Sequence, residues 1–388
     1  MASFTRKAEV ISSGTSAISS TRRLQRALLG IAIIYLVLII GQPAGLDLVR
    51  ISQDVRANPW AIVQQLIIGL ANGGIIAMTA LGYTLVYGII ELVNFAHGDV
   101  FMLGTFTSLL TLAIFSATTA TGGLKAPLWA AIFGFLPAML LCGFLNTGIE
   151  RFAYRPLRSA PKLVALISAI GMSFILQNIG LQLGAFGKLA SVSPAFKFLA
   201  VLGNNNAAPK SFPAVLGNNN LLEYIIPHPA IRITFADLLV IVTAIILMLL
   251  LNWFVMSTRL GKAMRATAQN RDAAAIVGIN VDQMIGLTFF IGGALAGAAG
   301  MMFGLYNGTV VFTLGFTAGL RSFTAAVLGG IGNIRGAALG GVLIGLLAAF
   351  SDQFLAVRWT NAWVFLILVL VLLFRPTGLI GQETGDKA

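Results

Sequence analysis

Charge is scarce in this sequence. The 388 residues include 25 Lys and Arg and 13 Asp and Glu, so only 10% are charged. A soluble domain carries roughly a quarter, and so few charges cannot cover the surface of a water-facing globule of this length. A soluble enzyme and a disordered chain are both excluded. Cysteine is nearly absent too. The single Cys142 permits no intrachain disulfide, which excludes a secreted disulfide scaffold, and no thiolate metal cluster. Two histidines, His97 and His228, are too few and too far apart for a zinc site. No Walker A loop occurs: the Gly261-Lys262 pair would need glycine at 256 and Ser or Thr at 263, where Met256 and Ala263 stand. HExxH and GxSxG are missing, and the few carboxylates form no convincing acid–base pair. We therefore expect no catalytic residue, no metal site and no cofactor held by this chain.

The rest of the composition is apolar. Hydrophobic residues make up 57% of the chain and mean hydropathy is +0.90, which predicts an all-α, polytopic transmembrane helix bundle. Apolar blocks lie near 27–41, 61–90, 98–117, 128–149, 163–184, 234–256, 283–306, 309–331, 336–355 and 360–374. Some are short or glycine-rich, so about nine or ten spans are expected. The first, after a basic stretch with Arg6, Lys7, Arg22, Arg23 and Arg26, reads as a retained span because no small-residue cleavage site precedes Asp47. The net charge of +12 fits basic cytoplasmic loops better than nucleic acid. With ten spans, the N-terminus, Arg151–Lys162, Arg259–Arg271, Arg335 and Arg375 all fall on one side, the cytoplasm. The polar stretch 185–232 then lies outside. It contains a perfect short repeat, AVLGNNN at 200–206 and 214–220, too short for a solenoid unit.

The 43 glycines read as packing residues. Small-xxx-small spacing recurs at Gly293/Gly297, Gly300/Gly304/Gly308, Gly315/Gly319, Gly336/Gly340 and Gly341/Gly345, which lets helix backbones approach closely. The run Gly329–Gly336 resembles a dinucleotide loop only superficially; it reads as close packing or a tight cytoplasmic turn. The block 60–97 is too long for one simple span. Gly82, Gly88, Asn94 and Gly98 punctuate its end, with His97 beside them, and mark a helix break that could line a translocation path. Of the polar group Glu91, Asn94, His97 and Asp99, two placements stay open: the cytoplasmic interface, or deep in the bundle where a proton relay would need them. No span shows a fixed charged pocket, so the path is expected to be mainly apolar.

The segment 257–282 is the most informative. It is basic and amphipathic and lies between two spans. Asp272 opens a short helix, the small Ala273 and Ala274 allow close approach by another surface, and Gly278 turns the chain. Arg265 and Arg271 stand on the same loop. This pattern resembles the coupling loop of ABC-transporter permeases, with Asp272 where a glutamate is usual. Further segments make the likeness specific: LGYTLVYGIIELVNFAHGDVFMLG at 81–104, IERFAYRPLR at 149–158, LISAIGMSFILQN at 166–178, the stretch from Arg259 to Met302, GFTAGLRSFTAAVLGGIGNIRGAALGG at 315–341 and RPTGLIG at 375–381. Together they resemble the LivH-type permease of branched-chain (hydrophobic) amino acid ABC importers.

The resemblance implies a permease core over 60–382, with an external insertion at 185–232 and the cytoplasmic coupling helix within 257–282. Residues 1–59 form an extension with one extra span, and 383–388 a tail. It also implies partners: a second homologous permease, two ATPase subunits that use ATP and Mg, and a periplasmic binding protein that delivers an amino-acid substrate. The location would be the bacterial inner membrane. A permease for urea or short amides, and an ion-coupled secondary transporter using Glu91, His97 and Asp99, are the competing readings.

Overall fold

The computed structural model describes residues 55–118, 124–158, 160–192, 194–203, 207–215, 220–221, 231–355 and 357–381, together with Gly30 and Gln53. The proposed first span and most of the repeated AVLGNNN asparagines lie outside the described residues. Eleven α-helices follow: α1 Trp60–Ile90, α2 His97–Ile114, α3 Leu128–Ile149, α4 Lys162–Leu183, α5 Phe235–Ser257, α6 Arg259–Gln269, α7 Arg271–Ile276, α8 Val281–Asn307, α9 Leu314–Gly329, α10 Ile334–Phe354 and α11 Thr360–Phe374. Among the described residues, eight helices, including the one that continues from α3 through Leu157, are long and apolar enough to cross a membrane. At 16 residues, α9 is short of a full span. Two ladders of two-residue strands, β1 Ala117–Thr118 with β2 Leu124–Lys125 and β3 Lys210–Ser211 with β4 Thr309–Val310, are the only sheet among the described residues.

Side-chain caps set several helix starts. Thr234 and Asp237 form a reciprocal capping box at α5. Asn280 and Asn333 accept from backbone N–H groups at the starts of α8 and α10. The innermost helices are α2 and α8, and α1 lies along α10. Small residues make that seam. Gly69 and Gly73 on α1 meet Gly341 and Gly345 on α10; a Cβ added at Gly73 would lie 2.8 Å from the Val342 Cα, and one at Gly345 would fall into the Gly73 backbone. Lipid provides no hydrophobic drive between helices, so close backbone packing of this kind holds the bundle together.

Hydrogen bonds sort the connections into two ends. At one, Leu379 and Ile380 donate backbone N–H groups to Leu328 and Gly329, Asn333 binds the Ile380 carbonyl, and Arg271 binds that of Ile89. The glycine run therefore is a tight turn, with Gly330 at φ 104 and Gly332 at φ 92, clasped by the C-terminal RPTGLIG segment. At the other end, β3 pairs with β4 and Ala126 bonds Ala214.

One sequence expectation needs correction. Gly82 and Gly88 do not interrupt their helix; α1 is continuous for 31 residues, roughly 46 Å at 1.5 Å per residue. Gly82 is a packing site, where the His97 ring fills the place a Cβ would take; a Cβ at the half-buried Gly88 would lie 3.7 Å from the Gly332 Cα, an ordinary contact. The break comes later, at Glu91–Ala96, where Glu91 adopts φ 54, the one positive φ at a non-glycine among the described residues.

Candidate functional site

The loop between α5 and α8 is two helices. Thr258 caps α6 by accepting from the Gly261 N–H at 3.0 Å, and Gly261, Met264 and Thr267 turn inward at three-residue spacing while Arg259, Lys262 and Arg265 stay exposed. Asn270 ends α6 and caps α7, accepting from the Ala273 N–H at 3.0 Å. Helix α7 closes in a Schellman arrangement: Gly278, at φ 84, donates to the Ala275 carbonyl and Ile279 to that of Ala274, both at 3.0 Å. Gly278 therefore ends the second of the two helices.

The residues of this loop have different jobs. Arg265 holds the Met256 carbonyl at the end of α5 at 3.3 Å. Arg271 fastens the loop to α1 through Ile89 at 2.8 Å. Ala274 packs inward. Asp272, Ala273 and Gly278 face solvent. Between them Ile276 is 86% and Val277 73% exposed; this apolar tip was not singled out from the sequence, although its exposed place follows from the Asn270 and Gly278 stops.

Beside the loop lies a cleft of about 390 Å³, lined by Glu91, Glu150, Tyr154, Arg158, Asn270 and Arg271 among others. The chain after α3 makes one π-type turn, Glu150–Tyr154, a local feature often found at functional positions. Arg158 bridges Glu150 and Asp282, the latter at 2.5 Å, and Arg155 also binds Asp282. The Arg155–Asp282 contact is close to half exposed on both sides, whereas Glu150 is 6% exposed. Arg158→Ala should therefore destabilise the detergent-solubilised protein by on the order of 2 kcal/mol, because it strands a buried carboxylate. Arg155→Ala should cost under about 1 kcal/mol. Thermal unfolding of both variants checks the ordering; equal effects would contradict it.

The break after α1 is pinned by buried amides. Asn94 donates to Asn146 Oδ1 at 3.1 Å, Asn146 donates to the Phe289 carbonyl at 2.7 Å, and the Tyr154 hydroxyl donates to Asn94 Oδ1 at 3.1 Å. The four polar residues divide accordingly. Glu91 is at the cleft surface, while Asn94, His97 and Asp99 are buried. Gly98 lets α2 touch the backbone of α9 at Gly315 and Gly319. The His97 ring packs against Tyr83 at 4.7 Å. Asp99 accepts from Ser173. On α9 the half-buried Arg321 donates to Asn361 at 2.9 Å. The interior, expected to be mainly apolar, holds Asp99 as a buried ionisable side chain. Asp99 stands at the head of an apolar run, and that was the readable signal.

Known proteins resemble the chain along most of its length. Residues 65–374 match the family described as "Branched-chain amino acid transport system / permease component". The high-affinity branched-chain amino acid transport system permease protein LivH of Escherichia coli is 38% identical over 326 residues, 84% of this chain and 97% of that protein. Its counterpart in Pseudomonas aeruginosa, BraD, is 37% identical over 325 residues, with the same coverage. A probable branched-chain amino acid transport permease protein LivH of Methanocaldococcus jannaschii is 24% identical over 323 residues, 80% of this chain and 89% of that one. No solved structure matches. A helix bundle with eight candidate spans, the family match and this identity over nearly the full length of the relatives lead to one conclusion: the chain is a multi-pass membrane protein that belongs to the family of permease components of branched-chain amino acid transport systems.

Proposed function

We propose that this chain is the membrane-spanning subunit of a binding-protein-dependent ABC importer that carries branched-chain and other neutral amino acids across the bacterial inner membrane. In this reading a second permease completes the pathway, two ATPase subunits seat against α6 and α7, and a periplasmic binding protein docks at the opposite end. The observation that carries it is the tip of α7. A six-residue helix, capped at both ends, holds Ile276 and Val277 out in water. An apolar tip this exposed is unfavourable unless a partner covers it. The chain itself performs no covalent chemistry; ATP and Mg are used by the partners.

Labelled leucine, valine, alanine, glutamine and urea supplied to a deletion strain carrying this chain and its partner subunits test the substrate. Restored leucine and valine uptake is expected; restoration of urea alone would move the assignment to the amide importers. Orientation has its own check. In a Cys142→Ala background, Ala207→Cys should react with an impermeant thiol reagent in intact cells, whereas Ile276→Cys should react only after lysis. Labelling of position 276 from outside would reverse the topology.

A further inference from the structure

We propose that the Asp99 carboxylate holds the α-ammonium group of the amino acid as it crosses the bundle, with Ser173 and Gln177 positioning that carboxylate; this rests on the reading of the chain as an amino-acid permease. Asp99 is 1% exposed in the first turn of α2. That turn is far inside the protein, because the chain folds back after α1 until His97 reaches Gly82. One edge of the carboxylate is occupied. Ser173 on α4 donates its hydroxyl to Oδ2, and Gln177, one turn further along α4, donates to the Ser173 oxygen at 3.2 Å. The other oxygen, Oδ1, has no hydrogen-bond partner, and neither His97 nitrogen reaches one in good geometry, although the Thr79 carbonyl is close to the ring.

Among the described residues no Lys or Arg pairs with Asp99. An ionised carboxylate in such a place is costly unless a cation joins it. The N-terminus of α2 offsets part of that cost but supplies nothing to Oδ1. The missing partner is a compact cation with several donors, and an α-ammonium group has that chemistry, whereas a neutral amide does not. A metal is a poor fit, since no cluster of three metal-ligating side chains occurs among the described residues. The surroundings also allow access. Asp99, Ser173 and Gln177 form a polar line along α4 toward Leu183, at the end of the bundle bearing β3 and β4. Oδ1 rests in the notch left by Gly315, where the backbones of α2 and α9 approach closely at Gly98, Gly315 and Gly319. Parting of these two helices at their glycine contacts would uncover Oδ1.

The test uses the complete importer in proteoliposomes with its binding protein and ATP. Asp99→Asn keeps an acceptor for Ser173 and a polar group at the helix start, so a capping role would leave it active. We expect its maximal leucine uptake per assembled complex to fall about 30-fold or more, with membrane abundance, ATPase co-purification and half-saturating leucine little changed, because capture occurs upstream. Ser173→Ala should lose about 3- to 10-fold. Asp99→Asn uptake within threefold of wild type overturns the assignment. If Asp99→Asn fails to accumulate, Ser173→Ala decides, and a wild-type rate there overturns it equally. Loss of wild-type uptake on adding a protonophore at constant ATP would assign Asp99 to a proton and overturn it as well. If the wild type moves no neutral amino acid at all, the permease reading fails and this inference with it; if wild-type uptake is normal and only the variants behave contrary to expectation, the inference fails alone.

Discussion

Gly278→Val should leave the protein in the membrane at near-normal level and abolish uptake together with co-purification of the ATPase subunits. Gly278 sits at φ 84, where a β-branched residue is strained by about 1–3 kcal/mol. A Cβ at this position would meet nothing within 4 Å, so no packing against a neighbouring helix is lost and the bundle has no reason to unfold. The damage is local. The two hydrogen bonds that close α7, from Gly278 to Ala275 and from Ile279 to Ala274, require the left-handed turn, and without them Ile276 and Val277 are presented at a different angle. Gly278→Asn provides the control, since asparagine tolerates this conformation; it should keep most uptake. If valine reduces membrane abundance in step with uptake, the position is structural. If valine leaves both uptake and co-purification intact, α7 is not the coupling element.

Gly345→Leu should behave in the opposite way and prevent accumulation of folded protein. Its Cβ would enter the backbone of Gly73 and come within 2.7 Å of the Gly69 carbonyl oxygen. Extra methylenes in a packed core ordinarily cost about 1–3 kcal/mol because side chains shift aside. Here the obstacle is main chain, so α1 and α10 must separate along the glycine seam. Membrane abundance and a fluorescence-detected gel-filtration profile check this. Leucine at Gly148, where a Cβ meets nothing within 4 Å, should leave both unchanged. A monodisperse Gly345→Leu protein at wild-type level would show that the seam is looser than described.

The two glycine predictions also show what the sequence could and could not disclose. Lipid-facing helices are legible as long apolar runs, and 128–149 and 360–374 coincide with α3 and α11. Gly278 ends α7 in a left-handed turn as expected, whereas Asp272, expected to open the helix, lies within its first turn and the cap is Asn270. Asn270 divides the loop in two because it is both the last residue after α6 and the cap of α7, which periodicity alone does not reveal. Gly82 and Gly88 were misread for a related reason. A glycine that breaks a helix and one that admits a neighbour look alike in one dimension, and only the arrival of His97 from elsewhere in the chain shows that Gly82 is the second kind. The buried polar contacts are long-range: Asn94 with Asn146, and Asp99 with Ser173, join residues 52 and 74 positions apart. Those partners stand within segments whose family likeness was evident, but their pairing depends on how α2 folds back into the bundle.

In the proposed function, this chain is a pathway driven by separate ATPase subunits. The most direct measurement is leucine accumulation in proteoliposomes, comparing the purified chain alone with the chain joined by a second permease, two ATPase subunits and a binding protein. The chain alone should accumulate nothing, with or without ATP or a proton gradient, and the full assembly should accumulate leucine only when ATP is hydrolysed. Gradient-driven accumulation by the chain alone would contradict the account.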